Sequence, residues 1–270
     1  MVKIKSKIRS TLYACNLYVA SQTNSEDLIS LLRKLRPVDC GIDLIRLGGC
    51  ADGGYLIPDD LKGIKYCFSP GVNTIAEFEN QLADRGITSF LADYSVEGPP
   101  ITREEFVFDK KYLGASDRNE FLTLSTWKDK YLRDYTGDLL LQMDIEGFEY
   151  EVILSTPDSL LNQFRIIVIE FHALDKLFDS FTFGIFASCF EKLLQNFNVV
   201  HIHPNTTCEI VGRGEIQIPK SMEFTFLNKR RAKQASPILT FPHPLDADNE
   251  PGTRMVLPKC WYRLPEHSDN

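Results

Sequence analysis

Apolar positions along the chain change period from block to block. "LLLQM" (139–143) and "FRIIVIEFH" (164–172) are nearly continuous apolar runs, as strands buried on both faces require. "NSEDLISLLRKLRP" (24–37), "IAEFENQLADRG" (75–86) and "FGIFASCFEKLLQNF" (183–197) carry theirs at helical spacing. End signals agree: Asn24 or Ser25 caps the first, with Pro37 after its end, and Gly86 stands just past the second. The same reading predicts strands at 42–49, 64–73, 87–95, within 105–114, at 138–144, 164–172, 198–205 and 222–229. Further helices fall within "EFLTLSTWKDKYL", after an edge segment, and at 148–154. Strands separated by helices mean βαβ units. The expected fold is α/β, a Rossmann-like, doubly wound, mostly parallel sheet. Residues 1–40 form a helical extension, 41–232 the main domain, and the proline-rich tail 233–270 wraps over its surface.

The 270 residues, 43% of them hydrophobic, suit one large core. Net charge is −7 without a dense basic stripe, which excludes nucleic acid as a partner. Seven scattered cysteines, never in a C-x-x-C pair, point to a reducing, cytoplasmic setting rather than a disulfide frame or zinc knuckle. No apolar run reaches the length of a membrane span. The basic start (Lys3, Lys5, Lys7, Arg9) reads as an amphipathic helix packed on the domain or on a second subunit. Contact with an anionic membrane is the weaker alternative.

Between the run at 139–143 and the next helix stand Asp144, Glu146 and Gly147. Glu149 and Glu151 suit the first turn of that helix, whose free N–H groups attract acids. Asp144 comes too early for capping. Ligands of open α/β sheets lie beyond the carboxyl ends of the strands, so Asp144 is a site candidate. The first strand–loop–helix carries "SPGVNT" (69–74), and the second strand ends in Asp93, where an acid accepts hydrogen bonds from a ribose diol. Neither G-x-G-x-x-G nor G-x-x-x-x-G-K-[ST] is present. An adenosine ligand without pyrophosphate fits better, S-adenosylmethionine being the common one.

Several segments, in this order, resemble the FkbM-type methyltransferases: "RLGGCADGGYLIPDDL" (46–61), "FSPGVNTIAEFENQLADRGITSFLADYS" (68–95), "LLLQMDIEGFEYEVIL" (139–154), "IVIEFH" (167–172), "HIHPN" (201–205) and "PHPLDADN" (242–249). The family consists of class I S-adenosylmethionine-dependent O-methyltransferases, many acting on sugars of capsules, lipopolysaccharides or natural products. The resemblance implies Ser69, Gly71 and Asn73 against the methionine moiety and Asp93 on the ribose. It implies Ser116 and Asp117 near the adenine, and Asp52, Gly53 and Gly54 over the amino-acid end with Arg46 nearby. The loop "FSPGVN" departs from the usual class I pattern of several glycines.

Methyl transfer to a sugar hydroxyl needs the acceptor placed and its proton removed. Asp144 ends one predicted strand, Glu170 and His172 share a face of the next, and His201 and His203 end a third. On this reading neighbouring parallel strands bring Asp144, His172 and His203 to one crevice. Two uses fit. A histidine (His172, or His203) is the general base, oriented by Asp144 or Glu146. Or Asp144, His172 and His203 bind Mg²⁺ or Mn²⁺, which acidifies the hydroxyl. His201 reads as a satisfied sheet histidine, His243 and His267 as surface residues, and Glu170 as an acid paired with Arg165 or a lysine. The partner is a small-molecule or carrier-linked sugar acceptor, and the N-terminal helices offer a homodimer contact. Rival readings are an NAD-type oxidoreductase and a non-catalytic sugar- or nucleotide-binding module.

Overall fold

Each long apolar run becomes a central strand. In the computed structural model, which describes residues 10–16, 19–250, 252–253 and 255–263, seven strands form one sheet. They are β1 (Tyr66–Pro70), β2 (Thr88–Ala92), β3 (Phe106–Asp109), β4 (Leu139–Met143), β5 (Phe164–Phe171), β6 (Phe197–Pro204) and β7 (Met222–Asn228). The helices that matter here are α1 (Ser25–Lys34), α2 (Glu77–Ala83), α3 (Leu124–Leu132), α4 (Glu149–Ser155) and α5 (Ser180–Asn196). Asn24 caps α1, accepting from the Glu26 N–H at 3.0 Å. Lys3, Lys5, Lys7, Arg9 and His267 lie outside the described residues, and with them most of the expected dimer helix. Residues 10–14 are helical.

The strand order is β6-β7-β5-β4-β1-β2-β3. Neighbours from β3 across to β5 are parallel, and β7 runs antiparallel between β5 and β6. This is the doubly wound Rossmann order with one antiparallel strand inserted before the edge. The chain winds outward in opposite directions from β1 and β4, so a crevice opens above their carboxyl ends, where such sheets bind ligands.

Two apolar layers cover the sheet. One joins Leu28 of α1, Trp127 of α3, Val152 of α4 and Phe190 of α5 to the strands. Trp127 meets Phe68 edge-on at 5.0 Å between ring centroids, a favoured aromatic geometry. The other layer joins α2 to a hairpin, Leu44–Leu47 with Tyr55–Pro58. The predicted strand at 42–49 thus pairs in this hairpin, apart from the main sheet. A second hairpin, Ile210–Arg213 with Ile216–Pro219, was not anticipated. The tail does more than skirt the surface: Leu257, Trp261 and Tyr262 are buried. No helix among the described residues is long and apolar enough to cross a membrane.

Candidate active site

The crevice is built by three strand ends that cross closely. Gly71 follows β1 with φ +88°, and a Cβ there would lie 1.6 Å from the Asp144 carbonyl oxygen. Only glycine allows this crossing. Asp93, just beyond β2 and 6% exposed, ties the loop down. One oxygen accepts from the Asn73 N–H at 2.9 Å, the other from the Ser95 N–H and hydroxyl at 2.8 and 2.7 Å. Above lies a cavity of about 510 Å³, lined in part by Asp52, Gly53, Gly71, Asn73, Asp93 and Asp144.

Other expected cofactor residues are placed differently. Ser69 is fully buried one layer beneath, its hydroxyl between Glu79 and the Gln142 side-chain oxygen. Arg46 and Gly54 shape the hairpin turn rather than face the cavity: the guanidinium donates to the Gly49 and Ala51 carbonyls at 2.8 and 3.1 Å and packs on Gly54. Ser116 and Asp117 are not at the cavity. Asp117 is occupied at the start of α3, accepting from the Thr123 N–H at 2.8 Å and the Thr126 hydroxyl at 2.7 Å. Tyr112, Leu113 and Phe121 line that end instead.

Glu146 borders both this cavity and a second cleft of about 480 Å³ lined by Glu170, His172, Asn205 and Ser221. His172 is the hinge of the arrangement. Its Nδ1 lies 3.0 Å from Glu149 Oε1, a fully buried side chain that also accepts from the Ile145 and Gly147 N–H groups at 3.2 and 3.0 Å. Glu149 therefore both caps the start of α4 and holds the imidazole. His172 Nε2 faces Glu146 at 3.5 Å, and Asp144 and Glu170 at 3.8 Å each. Burial alone would lower the His172 pKa, but hydrogen bonding and charge from Glu149, then Glu170 and Asp144, push it up to about 9. Burial, reinforced by Glu170, holds the Asp144 carboxyl well above its usual range, with His172 opposing. Glu146 and Ala173 flank these groups with φ of 56° each, a conformation costly for residues other than glycine.

His203 does not join His172. The antiparallel β7 intervenes, and its Glu223 is in register with Glu170 on one side and His203 on the other. His201 Nε2 and His203 Nδ1 instead face the two oxygens of Asp246, a tail residue, at 2.9 and 3.5 Å. The trio of Asp144, His172 and His203 is thus corrected: among the described residues, Asp144, Glu149 and His172 bring donor atoms within 4.8 Å of one another. Among the described residues Glu170 pairs with neither Arg165 nor a lysine. It accepts from the Ser221 hydroxyl at 2.6 Å and the Asn205 amide at 2.9 Å, while Arg165 pairs with Asp138 and Asp60. The reading of the sequence missed Glu149 as a histidine partner and Glu79, Gln142 and Tyr55 as cavity walls. Its one signal for Glu149, an acid in a first helical turn, has an ordinary capping explanation.

A strand-tip crevice joined to a cleft of carboxylates around one histidine defines an enzyme-like α/β domain. Residues 110–196 match the methyltransferase FkbM domain. That stretch runs from the end of β3 through α5 and contains Asp144, Glu146, Glu149, Glu170 and His172. Over that stretch the chain is similar to the methyltransferase FkbM domain, the resemblance its motifs led us to expect. No curated protein matches it. Among solved structures, a chain of a fibrillarin/Nop5p complex superposes with a TM-score of 0.37 at 14% identity, covering 62% of this chain and 74% of that one. A DNA modification methyltransferase encoded within an E. coli prophage gives 0.39 at 9% identity, covering 62% and 47%. Neither superposition is close enough to bear on the fold, which rests on the strand order.

Proposed function

We propose that the protein transfers a methyl group from S-adenosylmethionine to a sugar hydroxyl, in the assembly of a capsule, lipopolysaccharide or natural-product glycan. The charge of the larger cavity carries this reading. Asp52, Glu79, Asp93 and Asp144 line it, and no lysine or arginine does among the described residues. S-adenosylmethionine brings a sulfonium and an ammonium against a single carboxylate, so such walls attract it. The pyrophosphate of a dinucleotide would be repelled, and one glycine offers it little backbone. This disfavours the NAD-type oxidoreductase. A plain binding module gives no reason for two strained residues beside a buried carboxylate cluster.

In this reading Asp93 spends a remaining lone pair on the ribose diol, and Leu113 and Phe121 flank the adenine. The acceptor enters from the cleft of His172. Its oxygen attacks the methyl carbon in line, the C–O bond forms as the C–S bond breaks, and S-adenosylhomocysteine leaves. The hydroxyl proton passes to His172 Nε2, while Glu149 holds the other ring nitrogen. Asp144 would hold the sulfonium on this side of the cavity, and that positive charge would offset the carboxylate field around His172 and favour the neutral imidazole. The FkbM resemblance supports a sugar as acceptor.

One observation favours a second reading, with Mg²⁺ or Mn²⁺ held by Asp144, Glu149 and His172: Asp144 Oδ1 and Glu149 Oε2 are buried without a partner. Methyl-labelled S-adenosylmethionine, offered with sugars, sugar nucleotides and lipid-linked sugars, tests both. The histidine reading expects label in a sugar methyl ether and full activity after exhaustive chelation. Loss of activity to EDTA, restored by Mn²⁺, selects the metal. Absence of any transfer, with no binding of S-adenosylhomocysteine, overturns the proposal.

A further inference from the structure

The larger cavity is lined by two chemically different groups of residues. Asp93 with Tyr112, Leu113 and Phe121 offers an acid and a flat apolar surface. Asp52, Gly53, Tyr55, Glu79 and Gln142 also line it, and among them Glu79 stands apart. It projects from the first turn of α2, is 4% exposed, and still lines the cavity. Its neighbours Ser69, Gln142 and Tyr55 are uncharged. The one proton of the Ser69 hydroxyl lies between Glu79 Oε1 and the Gln142 side-chain oxygen, and the Gln142 amide donates to the Tyr55 hydroxyl at 3.1 Å. Among the described residues no lysine, arginine or histidine acts on Glu79, and burial pushes its carboxyl up to about 7. A carboxylate so placed is costly to ionise until a cation reaches it.

We propose that Glu79 binds the α-ammonium of the cofactor's methionyl part, with Ser69 as the positioning residue that fixes its carboxylate. This rests on the S-adenosylmethionine reading above. Of the other acids nearby, Asp52 accepts from the Asn249 amide at 3.1 Å, and Asp144 lies toward His172, 3.8 Å from its Nε2. An ammonium reaching Glu79 completes a charge-assisted hydrogen bond in a site walled from bulk water. It leaves Asp93 to the ribose of the same ligand.

Two ligands separate the contributions. S-adenosylhomocysteine carries the ammonium, and 5′-methylthioadenosine lacks the whole amino-acid part. By calorimetry at pH 7.5, Glu79→Gln should weaken S-adenosylhomocysteine at least tenfold and leave methylthioadenosine within about twofold. Ser69→Ala should shift the first ligand alone, by less. Should Glu79→Gln melt early, Glu79→Asp, which keeps the charge but shortens its reach, should show the same selectivity in weaker form. An equal loss for both ligands, or none for either, overturns the inference while leaving the cofactor reading intact. A wild-type protein that binds neither ligand overturns the cofactor reading itself, and this inference with it.

Discussion

Replacing Glu149 with glutamine removes a charge while keeping a side-chain oxygen for the Ile145 and Gly147 N–H groups. The imidazole of His172 then loses its nearest carboxylate. The His172 pKa stands at about 9 against an ordinary 6.5, and a shift of that size is worth about 3 kcal/mol. Glu149 supplies the largest of the raising contributions, so the variant should give up on the order of 1–2 kcal/mol of it. The ring is 21% exposed, so solvent screens this little. A raised folded-state pKa stabilises fully below the unfolded value near 6.5, and that stabilisation disappears as pH rises through about 9. The difference in unfolding free energy between wild type and Glu149→Gln should therefore be largest near pH 6 and shrink by pH 9.5. Buried acids that Glu149 does not act on cancel in the difference, whereas Asp144, which Glu149 also pushes up, does not, so the ring titration identifies the share of His172. NMR titration of the His172 ring proton in chelated protein, beside urea unfolding at the two pH values, reads both quantities. A wild-type ring titrating near 6.5, or at the same pH in both proteins, would refute the account of how Glu149 acts.

Other changes separate structure from chemistry. Asp144→Asn should keep the fold and nearly all binding of S-adenosylhomocysteine but lower turnover by roughly a hundredfold or more; a sharply lower Tm with intact activity per folded molecule would make Asp144 structural. Gly71→Ala places a methyl carbon 1.6 Å from the Asp144 carbonyl oxygen, so the loop must move. A clear drop in Tm together with lost S-adenosylhomocysteine binding is expected, and unchanged binding would contradict the close crossing.

Local signals were readable wherever neighbours in sequence decide the outcome. The Asn24 cap, the helix that stops before Gly86 and the run at 139–143 each depend on residues a few positions apart. Asp93 is found at the end of β2 and Asp144 just past β4 for the same reason: a strand followed by a helix marks its own end. What could not be read was decided by distant pairing. Nothing local says that β7 inserts between β5 and β6, and that insertion separates His203 from His172. The tail has no periodicity to announce that Asp246 returns to His201 and His203, or that Asn249 reaches Asp52. Ser116 and Asp117 missed the cavity because the start of α3 competes for the Asp117 carboxylate. Glu149 was ambiguous in principle, since one carboxylate serves both the helix start and the histidine.

The central claim, an adenosine cofactor without pyrophosphate held by Asp93, is tested most directly by calorimetry with S-adenosylhomocysteine and NAD⁺ on wild type and Asp93→Ala. S-adenosylhomocysteine should bind the wild type and NAD⁺ should not. Asp93→Ala removes the proposed ribose acceptor and the anchor of Asn73 and Ser95, and should weaken S-adenosylhomocysteine by roughly 1.5–3 kcal/mol, the loss of a charged hydrogen-bond partner. NAD⁺ binding as tightly as S-adenosylhomocysteine, or unchanged affinity in a folded Asp93→Ala protein, would contradict the claim.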